Sequence, residues 1–232
     1  MKTLKTFGSL PYTINIFLFC TVLLTSFTSC VKKNVQPPEQ QSAVNVINAT
    51  IGSQAITYSI NGVKVLGVLN YTNESKYFIT FPGSRNFEFA IDGQIGTIGS
   101  AIFELKQNTY HSIFISGEPG AINTLLTTDD LASPPAGKAK IRFIHLSSDA
   151  GQLILGTKSG ANLFPEQSYN KASPFIPLDQ GVYDLQLKSS TGTLLVQANV
   201  TVAAGKIYNV WAKGLKSGVS NSPLGIHFSA VN

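Results

Sequence analysis

From Val44 onward, apolar residues alternate with small or polar ones instead of recurring every third or fourth position. Asn86-Phe87-Glu88-Phe89-Ala90-Ile91 and Tyr183-Asp184-Leu185-Gln186-Leu187-Lys188 are the clearest runs. A period of two puts one face of a strand in a core and the other in water. Turn pairs stand between such runs: Asn61-Gly62, Pro82-Gly83, Asp92-Gly93, Pro119-Gly120, Gln180-Gly181 and Thr191-Gly192. Nowhere does a capped helical stripe interrupt them, so the pattern predicts an all-β chain.

The pattern also repeats at a spacing of about 97 residues. Val44-Asn45-Val46-Ile47-Asn48 aligns with Ile141-Arg142-Phe143-Ile144-His145, and Ile113-Phe114 aligns with Val210-Trp211. Phe87-Glu88-Phe89 aligns with Leu185-Gln186-Leu187 after a slip of one residue. A unit this long predicts two tandem immunoglobulin-like antiparallel β-sandwich domains, rather than a solenoid or one large barrel. We place the first at 43–131 and the second at 138–232, with Pro134-Pro135 and Gly137 between them. Phe87, Phe89, Phe103 and Ile113 are expected in the first core, and Leu185, Leu187, Val200 and Trp211 in the second. Tyr208 stands where sandwiches place a corner tyrosine, with Tyr110 as its rough counterpart.

Composition narrows the function classes. Of 232 residues, 43% are hydrophobic and 12% charged, about half the charge of an ordinary soluble domain. Both cysteines, Cys20 and Cys30, fall in the first thirty residues. No disulfide framework or thiol nucleophile is therefore expected in the folded part. Lys2 and Lys5 precede an apolar run, Ile14–Leu24, too short to span a membrane. Without those two lysines the balance is 15 basic to 12 acidic residues, and the lysines are scattered. Nucleic acid is not an expected partner.

After the run comes Thr25-Ser26-Phe27-Thr28-Ser29-Cys30. This resembles a bacterial lipoprotein signal, with Phe27 in place of the usual Leu. The resemblance implies a signal peptide at 1–29, acylation of Cys30 and a lipidated tether over 30–42. Two or more acyl chains anchor a protein stably where one does not. The expected location is the cell outer membrane, on its periplasmic or surface face. Pro37-Pro38 stiffens the tether, and Lys32-Lys33 could touch anionic head groups.

Candidate chemistry is sparse. His145, Ser147 and Asp149 lie close together, yet the more economical reading is a turn that satisfies its own amides. His111, His145 and His227 are far apart and form no metal-ligand pair, so neither metal nor cofactor is expected. Asp129, Asp130 and Asp149 could meet around calcium, although solvation of a linker explains them better. Gly93–Gly99 reads as a hairpin connection, since a strand and not a helix follows it. Loop aromatics are the remaining candidates: Phe164, Tyr169, Tyr71 and Tyr77 could stack on a sugar ring or a protein partner.

The stretch Ile141-Arg142-Phe143-Ile144-His145-Leu146-Ser147-Ser148-Asp149-Ala150 resembles the opening of units in the bacterial domain-of-unknown-function 4397 family. Leu146 and Ser148 replace that family's Ala and Pro. Leu178–Leu185 and Ala204–Val210 resemble two further strands of the same family. The resemblance is fuller over 138–232 than over the first unit. It implies envelope-associated sandwich domains, often lipid-anchored, with no established activity. The expectation is a non-catalytic binding or structural module for a protein or glycan. A subunit of an outer-membrane nutrient-uptake or adhesion assembly, or a hydrolase using His145, are the alternatives.

Overall fold

The computed structural model describes residues 40–52, 55–218 and 222–231; Cys30, the leader and all but the end of the tether lie outside the described residues. The strands of the first half are β1 (Ser42–Thr50), β2 (Ile56–Ile60), β3 (Val63–Lys64), β4 (Phe78–Thr80), β5 (Gly83–Ile91), β6 (Gly99–Leu105), β7 (Tyr110–Glu118) and β8 (Ala121–Asp129). Those of the second half are β9 (Lys138–His145), β10 (Leu153–Thr157), β11 (Asn162–Gln167), β12 (Lys171–Ala172), β13 (Ile176–Asp179), β14 (Gly181–Ser189), β15 (Leu194–Val202), β16 (Ile207–Lys213) and β17 (Gly225–Ala230). The described residues contain no helix.

Four sheets result. β4-β1-β7-β8 packs on β3-β2-β5-β6 in the first half. β12-β9-β16-β17, with β13 also on β9, packs on β11-β10-β14-β15 in the second. Among the described residues, no strand ladder joins the halves. Pairing is antiparallel except for β1 with β7 and β9 with β16, which are parallel. The sandwiches are antiparallel, as the sequence reading has them, apart from these two ladders. β1 and β7, like β9 and β16, are too distant in the chain to form a hairpin, so nothing forces them to run in opposite directions.

The repeat is visible in the register. Val46 pairs with Ile113, and Phe143 with Val210, each 97 residues further on. Tyr58 pairs with Phe89, whereas Leu155, 97 on, pairs with Leu187, 98 on. The slipped residue therefore lies between β2 and β5 of the unit.

Each sandwich has its own core. Val44, Val46, Ile56, Phe87, Phe89, Ile113 and Ile115 fill the first, with Phe103 packed at its edge. Ile141, Phe143, Leu153, Leu155, Leu185, Leu187, Val200 and Val210 fill the second. A third apolar cluster lies between the sandwiches: Ile47, Ala49 and Phe114 meet Ile144, Leu146 and Trp211. These six are three repeat positions, each supplied once by either copy. The halves thus present the same surface to one another, as the subunits of a twofold dimer do. Residues Gln40–Asn232 form one compact unit in consequence.

Trp211 corrects the sequence reading. It is buried, with 1% exposure, but on the outer face of β16, away from the core that Val210 enters. Alternation alone could not separate these faces, because β1, β7, β9 and β16 are covered on both sides.

Candidate functional site

The layer between the sandwiches holds the densest polar chemistry in the fold. Arg142 and Asp129 project from β9 and the end of β8 into it, and both side chains are almost completely buried. Arg142 Nη1 lies 2.6 Å from Asp129 Oδ1, and Arg142 Nε donates to Asn209 Oδ1 at 2.6 Å. Three hydroxyls donate to the carboxylate: Ser112 Oγ at 2.6 Å, Tyr77 at 2.5 Å and Thr127 Oγ1 at 3.0 Å. The guanidinium lies against Phe175, 4.6 Å from the ring centre, and more distantly over Phe114. Charges removed from water need this degree of pairing. Burial above all, then the Asp129 charge and the bond to it, pushes the Tyr77 phenol well above its ordinary range.

The repeat is chemically unequal at this layer. Asn45 occupies the Arg142 position of the first copy and donates to Glu74 instead, at 2.7 Å. Ser112 occupies the Asn209 position. The Arg142–Asp129 pair therefore has no counterpart on the matching side of the layer.

The candidate aromatics are spent largely on the same junction. Tyr169 bonds Ser116 Oγ through its hydroxyl at 3.2 Å and sets its ring edge-on to His145. Tyr71 lies under Lys213 Nζ, 5.4 Å from the ring centre, and burial pushes its phenol up to about 12. Lys213 is the repeat counterpart of Ser116, so each copy's loop tyrosine meets the same position of the other copy. Phe164 is a correction: it is 3% exposed, inside the second core beside Phe143, where no ligand reaches it. A loop reading put it outside; β11 pairs with β10 and turns the ring inward.

The His145–Asp149 stretch is committed to its own loop. His145 is fully buried, its Nε2 facing the Gly151 carbonyl at 2.6 Å and its Nδ1 accepting the Ser147 N–H at 3.3 Å. Burial lowers its pKa. Ser147 Oγ turns to Asp149, not to His145. Asp149 accepts the N–H groups of Lys216 and Ser217 at 2.7 and 2.8 Å. Burial opposes its charge, but those main-chain bonds outweigh it and hold the carboxyl below the usual carboxylate range.

The three aspartates do not converge. Asp129 is buried in its ion pair, which corrects the expectation of a solvated linker residue, while Asp130 pairs with Lys140 at 2.6 Å. Among the described residues, no three His, Cys, Asp or Glu side chains group as metal ligands.

Tyr208 accepts the Ala203 N–H on its hydroxyl at 3.1 Å. Its counterpart 97 residues earlier is His111, not Tyr110, and His111 Nε2 accepts the N–H of Lys106, again five residues back, at 3.2 Å. Two different side chains fill one structural office. Tyr110, one place off, is 45% exposed.

Comparison with known proteins gives a family and little else. No curated protein matches the chain. Among solved structures, CBMbc, a family 26 carbohydrate-binding module of Eubacterium rectale Amy13K crystallised with maltoheptaose, aligns over 82% of this chain and 95% of its own, at 10% identity and a TM-score of 0.26. The Bacillus anthracis TIE protein aligns over 75% of this chain and 34% of its own, at 12% identity and a TM-score of 0.24. Overlaps that slight carry no argument about fold or ligand. The family match covers the first copy and reaches the second only as far as β10, the reverse of the emphasis read from sequence. Over residues 42–156 the chain belongs to the domain-of-unknown-function family DUF4397.

Proposed function

We propose that this chain is a lipid-anchored, non-catalytic envelope protein whose paired sandwiches act as a binding or structural module for a partner protein or glycan. The observation that carries the reading is the use made of the reactive side chains. His145, Ser147 and Asp149 hold a loop, and Asp129 and Arg142 hold the junction. A catalytic group needs a free face toward substrate; His145, Ser147, Asp129 and Arg142 are buried, and the exposed Asp149 is held by the Lys216 and Ser217 amides. The lipoprotein-like sequence ending at Cys30 supports the anchor, with the outer membrane as its site.

Metabolic labelling with an alkyne fatty acid tests the anchor: label in the wild type and none in Cys30→Ala is expected, and equal label in both would refute it. The module reading is tested by assaying the purified protein on chromogenic ester, amide and glycoside substrates. Turnover abolished by His145→Asn would replace a binding role with a catalytic one.

A further inference from the structure

We infer that the edge of the first sandwich bearing Phe81 rests in the lipid interface beneath the anchor. The inference builds on the Cys30 reading above. Ser42, where the tether enters the fold, pairs with Thr80, so Phe81 stands beside the point at which the anchored segment joins β1. Twelve peptide steps from Cys30 to Ser42 limit the separation of those two residues to roughly 43 Å.

That edge is unusually apolar for an open surface. Phe81, Ile79, Val63 and Leu66 are 66%, 61%, 71% and 95% exposed. Val63, Ile79 and Phe81 line a groove of about 410 Å³ between the edge strands β3 and β4. The groove continues past Ile79 to a second hollow lined by Gln41, Ser42 and Tyr110. A contiguous exposed patch of this kind marks an interaction surface.

Two features point to lipid rather than protein. The first is the turn Phe81-Pro82-Gly83-Ser84. Arg85 donates Nε to the Phe81 carbonyl at 3.0 Å, Nη2 to that of Pro82 at 2.8 Å and Nη1 to that of Ser84 at 3.2 Å. Backbone carbonyls left bare resist entry into hydrocarbon. Here one guanidinium satisfies three of them, fixes the turn that presents Phe81, and keeps a cation at head-group depth. The second feature is the contrast between copies. Strand register places Pro177 at the Ile79 position and Asp179 at the Phe81 position. Asp179 pairs with Lys138 at 2.7 Å, and Lys138 occupies the Gln41 position. The same edge is charged in the copy remote from the tether and apolar in the copy joined to it.

The test uses the full acylated chain in phosphatidylethanolamine–phosphatidylglycerol vesicles. A polarity-sensitive dye is placed on Phe81→Cys or on Ile95→Cys. Ile95 is fully exposed in the β5–β6 connection, beyond the end of β5 opposite to the Phe81 turn. Lipids brominated near the head of the chain should quench about half the emission at 81, consistent with entry of about 5–10 Å into the interface, and leave that at 95 unchanged. Mass spectrometry of the Cys30 peptide reads the anchor separately. Acylated protein with equal quenching at both sites, or none at 81, overturns this inference alone. A dye at 81 that is already dry without vesicles assigns the edge to a protein contact and overturns it too. An unmodified Cys30 overturns the anchor reading and this inference with it.

Discussion

Asp129→Asn and Arg142→Met probe the junction from opposite sides. The pair is 2.6 Å apart and the side chains are 0% and 2% exposed. Removing one partner of such a pair costs about 3–5 kcal/mol, because the other is left charged and dry. The two losses should differ. Arg142→Met leaves the Asp129 carboxylate with three hydroxyl donors, Ser112, Tyr77 and Thr127, so its cost belongs near 3 kcal/mol. Asp129→Asn leaves a guanidinium that cannot shed its proton, facing only the neutral amide oxygens at positions 129 and 209 with no counter-charge; its cost belongs near 5 kcal/mol. At about 2–4 °C per kcal/mol for a fold of this size, the midpoint falls by roughly 6–20 °C. Calorimetry and urea titration measure both variants. Losses below about 1 kcal/mol are typical of a solvated pair; finding them would show that the sandwiches do not close over these charges.

Trp211→Ala should cost about 3–5 kcal/mol and split one calorimetric transition into two, since the ring joins the sandwiches instead of filling either core; one unbroken transition at an unchanged midpoint would contradict this. Acid should destabilise the fold. Burial lowers the pKa of His111, His145 and His227, so between pH 7 and 5 the unfolded chain, with histidines near 6.5, takes up more protons. The midpoint should hold above pH 7 and fall below it. His111→Tyr, which installs the second copy's side chain, should make that fall shallower; an unaltered slope would remove His111 from the account. Tyr208→Phe deprives the Ala203 N–H of its acceptor and should cost about 0.5–1.5 kcal/mol by denaturant titration; no loss would mean that the corner carries no load.

Strand positions and the repeat were legible because they rest on local alternation. Phe87 and Phe89, Leu185 and Leu187 point inward as their spacing requires. What alternation cannot express is a strand covered on both faces. Ile47, Phe114, Ile144 and Trp211 occupy positions that period two assigns to water, and only the other copy dries them. Arg142 and Asp129 were hidden for the same reason, since a charged residue on an outer face reads as solvated until a second surface arrives. A signal did exist: at three matching repeat positions the supposedly wet faces carry Ile47, Ala49 and Phe114 in one copy and Ile144, Leu146 and Trp211 in the other. Outward apolar residues at matching repeat positions predict that the copies face one another. The aromatic candidates followed this pattern, for Tyr71, Tyr77 and Tyr169 lie in loops bordering the junction. The substitution of His111 for a corner tyrosine was invisible to a search by residue type, and appears only when the main-chain donor five residues earlier is compared.

Native-state hydrogen exchange of the full chain tests the face-to-face stack most directly. Amides of β1 and β7 should open together with those of β9 and β16, at a common free energy close to that of global unfolding. Exchange of either sandwich's junction strands through a smaller opening of their own, with the other pair still protected, would contradict it.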